Sequence, residues 1–258
     1  MPPGFENLEQ QLLLWLFAMI RPGAAFMIAP VFGARSVPLQ LRLIIALAIG
    51  IPAAAASDMQ LPSGGMVSVS GIAMILSEIT LGLALGFALQ IGFAAAMLAG
   101  ELISNTMGLG FASMINPMSG QQSTAIGQFL SMVATFLFLA TGGHLVFIAI
   151  IIDSYVALPP GMAWLTQAAI GGIIQFGGLI FAAGLSIALP VGFAMVMVQI
   201  VMAVIARSTP SLNLFAVGLP ATLLAGILLL ASAMPAMSDS LESAVSSGLD
   251  QSAKLGGG

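Results

Sequence analysis

An all-α integral membrane protein is the fold class this sequence predicts, and three observations predict it. Hydrophobic residues make up 59% of the 258 and charged residues 5%, against about 25% charged in an ordinary soluble domain. The apolar residues gather in runs of about 20 or more, the length a helix needs to cross a bilayer core. Those runs lack the period-2 alternation of lipid-facing β-strands.

Taken in order, the runs fall at about 10–32, 39–57, 69–99, 125–152, 166–205 and 213–233. The residues before the first, Met-Pro-Pro-Gly-Phe-Glu-Asn-Leu-Glu, carry two acids and no base. That is the wrong charge for a cleavable signal peptide, so the first run is expected to stay in the protein. It contains Arg21 in Met-Ile-Arg-Pro-Gly, a cation that either snorkels to the interface or marks a helix break at Pro22–Gly23. Breakers separate the later runs: Pro30 and Pro38, Pro62 with Gly64 and Gly65, the polar stretch around Pro117, Pro159-Pro160-Gly161, and Pro210. The fifth run is long for one crossing and holds Pro190; it is one kinked helix or two short ones. If it is a single pass, Arg35, Arg42 and Arg207 share one face of the membrane. The positive-inside bias then makes that face cytoplasmic and puts both termini opposite. Six spans follow, with seven as the alternative.

Residues 238–258 turn small and polar. Such a segment buries too little apolar surface to offset its ordering entropy, so disorder is expected there.

Composition also limits the chemistry. There are 5 basic residues and no cysteine, which leaves no footprint for nucleic acid and no disulfide, thiolate metal site or catalytic thiol. The single histidine, His144, follows Gly142-Gly143 and reads as a packing residue. Ser113 and Ser119 lack the sequence context of an intramembrane serine nucleophile. No catalytic residue, metal site or cofactor is expected, and the chain does not read as an enzyme. A secondary transporter would call for a repeat and a charged midplane site; neither is visible.

Two carboxylates matter more. Glu78 lies inside the third run and Glu101 at its end. A carboxylate at the centre of a spanning helix costs about 2.5–3.5 kcal/mol on insertion scales. Glu78 and Glu101 therefore belong to a proton or cation relay, or to a pair with Arg21, Arg35 or Arg42, or to a subunit interface. Sparse ionisable groups favour the pair or the interface. Gly82 and Gly86, with Gly171, Gly172, Gly177, Gly178 and Gly184 in the fifth run, mark close helix packing through small residues.

The stretch 100–122 is too polar for lipid and too apolar for a solvated loop. Met107, Gly108, Leu109, Gly110, Phe111, Ala112, Ser113 and Met114 are followed by Asn116, Pro117, Gln121 and Gln122. Methionine and glycine make such a surface deformable, and irregular backbone at membrane depth must be sheltered by protein or line a wet cavity. Residue chemistry leaves a conduit plug and a re-entrant structural loop equally open.

At this stretch the sequence resembles a known family. Gly108-Leu-Gly-Phe-Ala-Ser-Met114, Asn116-Pro-Met-Ser-Gly-Gln-Gln122, Gly127-Gln-Phe-Leu130 and Gly142-Gly-His-Leu145 are similar to motifs of the FliR/SctT family of type III export-gate proteins. Ala29-Pro-Val-Phe-Gly-Ala-Arg-Ser-Val-Pro38 and Arg207-Ser-Thr-Pro-Ser-Leu-Asn-Leu-Phe-Ala-Val-Gly-Leu-Pro220 match in the same order. The likeness runs from 10 to about 235 and leans to the flagellar branch, with the injectisome (SctT) branch as the alternative.

The resemblance implies a single-copy subunit in a helical hetero-oligomer with FliP and FliQ, adjoined by FlhB and FlhA. Its place would be the bacterial inner membrane, in the flagellar basal body, closing a conduit for unfolded export substrates. Residues 1–237 would form one membrane domain, FliP-like over about 1–160 and a FliQ-like helical hairpin over about 163–237. The resemblance makes 107–122 the plug and Arg207, Pro210, Leu212 and Asn213 the cytoplasmic hairpin tip. It also implies that partners, not only lipid, cover the apolar helices. Arg21, Arg35, Glu78 and Glu101 stand as candidate buried or interfacial charges.

Overall fold

The computed structural model describes residues 8–57, 59, 61–62, 65–109, 124–162, 164–209 and 214–257. Among these, the regular structure is entirely helical: α1 (Leu8–Ala18), α2 (Ile20–Ile28), α3 (Leu39–Ala56), α4 (Val69–Thr106), α5 (Ala125–Ala140), α6 (Gly143–Ala157), α7 (Gln167–Gly177), α8 (Leu179–Ser208) and α9 (Leu214–Leu255). Five segments are long and apolar enough to cross a membrane, and six if the bent pair α5–α6 counts as one.

Each break has a local cause. The first run bends at Met19, just before Arg21-Pro22, where proline cannot donate to the helix ladder. Gly142 (φ 74°) takes the left-handed conformation that turns α5 into α6, with a bend of 68° between them. The fifth run breaks at Gly177-Gly178, not at its proline, for α8 runs unbroken through Pro190. Val31 holds φ 70° in the α2–α3 link, a strained position for a β-branched residue. Next to it, Phe32 stacks on Phe26 with centroids 4.5 Å apart, and Phe147 closes the cluster.

Two compact units are found, and the long helices α4 and α9 each contribute to both. The first comprises Met1–Ile91, Phe138–Gly177 and Ser246–Gly258. There α3 packs on α1, α2 and α6 around Phe17, Phe26, Ala46, Phe147 and Ile151. A Cβ on Gly82 or Gly86 would collide with the carbonyl oxygen of Arg21 or Ala25, so α4 meets α2 backbone to backbone. The second unit comprises Gly92–Leu137 and Gly178–Val245. Its core holds Ala95, Ala99, Ile103, Leu130, Ile187, Val191 and Met195. Gly100 lies directly on the backbone of Gly127 in α5, and Gly184 on Ala95 and Leu98. Lipid tails give helices no hydrophobic reason to associate, and these backbone approaches supply the dispersion contacts instead.

The expected disorder of 238–258 is corrected: α9 continues to Leu255. Composition argued for a solvated tail, but Leu241, Ala244, Val245, Gly248, Ser252 and Leu255 recur at helical spacing, and all are buried. The Ser252 hydroxyl donates to the Leu85 carbonyl at 2.9 Å.

Replacing Gly82 by Leu forces α2 and α4 apart and is expected to cost about 1–3 kcal/mol, lowering the thermal midpoint of the detergent-solubilised chain. A side chain at Gly171 meets open space, so Gly171→Leu should leave that midpoint where it is. Equal shifts for both would refute the packing account.

Candidate functional site

Arg21 is the most buried cation of the chain, 1% exposed, and Glu78 is 2% exposed. The first turn of α2 aims the guanidinium at α4 and α6. Its Nε donates to Glu78 Oε2 at 2.8 Å and Nη2 to Oε1 at 2.9 Å, a two-pronged pair. Nη1 donates to the Ser154 hydroxyl at 2.9 Å, and Nη2 also to the Leu158 carbonyl at 2.8 Å. The guanidinium lies 3.9 Å over the Tyr155 ring, and the Tyr155 hydroxyl donates to the Ala18 carbonyl at 2.7 Å. One cation thus ties α1–α2, α4 and α6 together. Trp164 adds a further tie where its indole N–H donates to the Ser77 carbonyl at 3.3 Å.

Of the arginines considered for Glu78, Arg21 is the partner. Snorkelling of Arg21 is thereby overturned, since a satisfied acceptor set inside the protein removes the reason to reach for water. Arg35 is exposed in the α2–α3 link, so of the two alternatives, buried or interfacial, it is not buried within this chain. Arg42 binds the same link, donating to the Ala34 and Val37 carbonyls. Glu101 is half-buried and makes no hydrogen bond or ion pair among the described residues.

The plug assignment falls partly outside the described residues: Met107, Gly108 and Leu109 are described, whereas Gly110, Phe111, Ala112, Ser113, Met114, Asn116, Pro117, Gln121 and Gln122 are not. At the hairpin tip Arg207 is described, exposed in the last turn of α8; Pro210, Leu212 and Asn213 are outside. The base of the 107–122 stretch is held within the second unit. Met107 is buried against Gly226 of α9, Thr222 donates to the Met107 carbonyl, and the Gln199 amide of α8 donates to the Thr106 carbonyl. Gly108 (φ 82°) then turns the chain off the end of α4. Nearby in the same unit, Leu102, Thr106, Leu185, Leu189 and Phe193 line an apolar cavity of about 310 Å³.

Sequence reasoning missed Ser154 and Tyr155. The available signal was the polar triplet Asp153-Ser154-Tyr155 at the end of an apolar run, which contains the only tyrosine of the chain.

The model of the bacterial export proteins, family 1, matches residues 12–248. The flagellar biosynthetic protein FliR of Escherichia coli (strain K12) is 34% identical over 233 residues, 88% of this chain and 88% of that protein. The FliR of Pectobacterium carotovorum is 34% identical over 221 residues, 86% and 83%. That of Bacillus subtilis (strain 168) is 28% identical over 209 residues, 80% of each.

Removing one partner of a buried pair leaves an uncompensated charge. Glu78→Ala is therefore expected to destabilise the chain by about 3–5 kcal/mol, while the apolar double replacement Arg21→Met with Glu78→Leu costs less. Thermal midpoints of the solubilised variants measure this. A double variant no better than Glu78→Ala would show that the pair's geometry, rather than its desolvation, governs the site.

Proposed function

The chain belongs to family 1 of the bacterial export proteins, and from that membership we propose that it is a structural subunit of the flagellar type III protein export gate. The observation that carries this reading is the family match across nearly the whole chain, with relatives matched over more than four-fifths of their length and named for flagellar biosynthesis. In this reading the chain sits once in a hetero-oligomer with FliP and FliQ, adjoined by FlhB and FlhA, in the bacterial inner membrane. It carries out no reaction itself; it lines and closes the path of unfolded export substrates, needed for flagellum assembly.

Helix lengths support a protein surrounded by partners. With 38 residues, α4 is about 57 Å long at 1.5 Å per residue, well beyond a bilayer core of about 30 Å. Along α8, Phe181 and Phe193 are 70% and 65% exposed, beside Leu185 and Leu189. These side chains need an apolar cover, and neighbouring gate helices supply it in this proposal. The FliQ-like hairpin corresponds to α7–α8 and the first part of α9, with its tip around 207–213.

The proposed plug is the 107–122 stretch, and the anchoring of Met107 gives it a fixed root. From that root a glycine- and methionine-rich chain can seal a conduit by dispersion contacts and yield to a passing polypeptide without breaking buried hydrogen bonds.

Phe111→Ala, or deletion of 108–114, is expected to leave co-purification with FliP-like and FliQ-like partners intact while raising ion conductance of the assembled gate in planar bilayers. Conductance equal to the parent's would refute the plug. Failure of the unaltered chain to co-purify with those partners would refute the gate subunit itself.

A further inference from the structure

We propose that the Ala34–Val37 turn at the head of α3 binds the phosphate of an anionic phospholipid, with Arg35 as the cation and the exposed face of α3 as the bed for an acyl chain. The turn is rigidly built. The Val37 N–H donates to the Ala34 carbonyl at 3.0 Å, which puts Arg35 and Ser36 at its apex. Arg42, in the first turn of α3, donates through Nη2 to both the Ala34 and the Val37 carbonyls, at 2.6 and 3.1 Å. One arginine thus clamps both ends of the turn, and the other is carried at its tip. Upstream, Phe32 packs on Phe26 and Phe147. A Cβ on Gly33 would meet the Met27 and Ala29 carbonyl oxygens at 2.8 and 2.9 Å, so the approach to the turn is tight as well.

The chain itself gives Arg35 no counter-ion among the described residues. Arg35 is exposed and makes no hydrogen bond or ion pair there, and the hydroxyl of exposed Ser36 beside it makes no hydrogen bond either. Residues 10–57 contain no acid, and the Arg21–Glu78 pair of the same unit is closed inside the protein. Just past the turn the surface changes character. Leu39, Leu43 and Ile44 of α3 are 58%, 43% and 64% exposed, and Leu39 and Leu43 lie one helical turn apart.

A cation at the edge of an exposed apolar helix face is complementary to a phospholipid. The guanidinium fork takes two phosphate oxygens, and the leucines take the hydrocarbon. An acidic protein segment would match Arg35 but not the apolar face. A zwitterionic lipid brings its own ammonium, whereas an anionic one leaves its charge for Arg35. The inference requires only that the chain is a membrane protein, so it stands independently of the gate assignment.

Native mass spectrometry of the detergent-solubilised full chain, titrated with dioleoylphosphatidylglycerol or dioleoylphosphatidylcholine, tests the site. The parent should bind phosphatidylglycerol the more tightly. Arg35→Gln should weaken that binding about fivefold, the equivalent of about 1 kcal/mol for one arginine at a lipid surface, and leave phosphatidylcholine binding unchanged. Arg35→Lys, which keeps the charge but not the fork, should retain part of the preference. Both are exposed substitutions, so the thermal midpoint should stay at the parent's value. Equal binding of the two lipids by the parent, or phosphatidylglycerol binding unchanged in Arg35→Gln, would overturn the proposal. Displacement of the lipid by inorganic phosphate alone would overturn it too, since the apolar face would then contribute nothing.

Discussion

A guanidinium that cannot reach water governs the first compact unit. Once Arg21 is buried, each of its N–H groups left without an acceptor would cost more than an average hydrogen bond returns. The surrounding elements are placed to prevent that. A glutamate in α4 takes two prongs, a serine and a terminal carbonyl of α6 take two more, and a tyrosine ring covers the face. The helix break before Pro22, the glycines that let α4 approach α2, and the end of α6 at Leu158 all read as conditions for that geometry. Buried ion pairs contribute little net stability, but they penalise misplacement strongly. The pair's value lies in register: a one-residue slip of α4 along α2 would strand both charges.

Much of this was legible in the sequence, and the misses have physical causes. The helical class, the apolar runs and the small-residue pair Gly82/Gly86 follow from composition and spacing, because those signals are local. Glu78 was visible as a residue needing a partner, but choosing among three arginines requires tertiary distance. The fifth run reads as one kinked helix or two short ones around Pro190; the helix runs unbroken through that proline, and the interruption falls at Gly177-Gly178. A proline inside a helix loses one hydrogen bond, which long flanking turns can absorb; two adjacent glycines weaken the helix by backbone entropy over consecutive residues. The C-terminal stretch misled through averaging. Its mean polarity is high, yet one stripe of it is apolar or small, and a helix needs only one stripe to dock.

The second unit shares the backbone-to-backbone contacts that join α4 to α2 in the first. Gly100 on Gly127, and Gly184 on Ala95, let helices approach so closely that branched side chains are unnecessary at the crossing. That leaves the larger side chains of α8 free to face outward, where Phe181 and Phe193 stand. At these crossings the small residues face inward, while Phe181 and Phe193 stand exposed on the chain's own surface. This division suits a component of a multi-helix assembly better than an isolated bilayer protein.

Order of synthesis gives the C-terminal helix a further meaning. Leu85 and Leu89 emerge from the ribosome about two-thirds of the chain before Gly248 and Ser252, their eventual neighbours. Throughout that interval the face of α4 that they occupy lacks its native cover. The newborn chain must therefore hold an unfinished groove until residues 248–252 have been made, so a surface laid down early waits for a much later segment to close it.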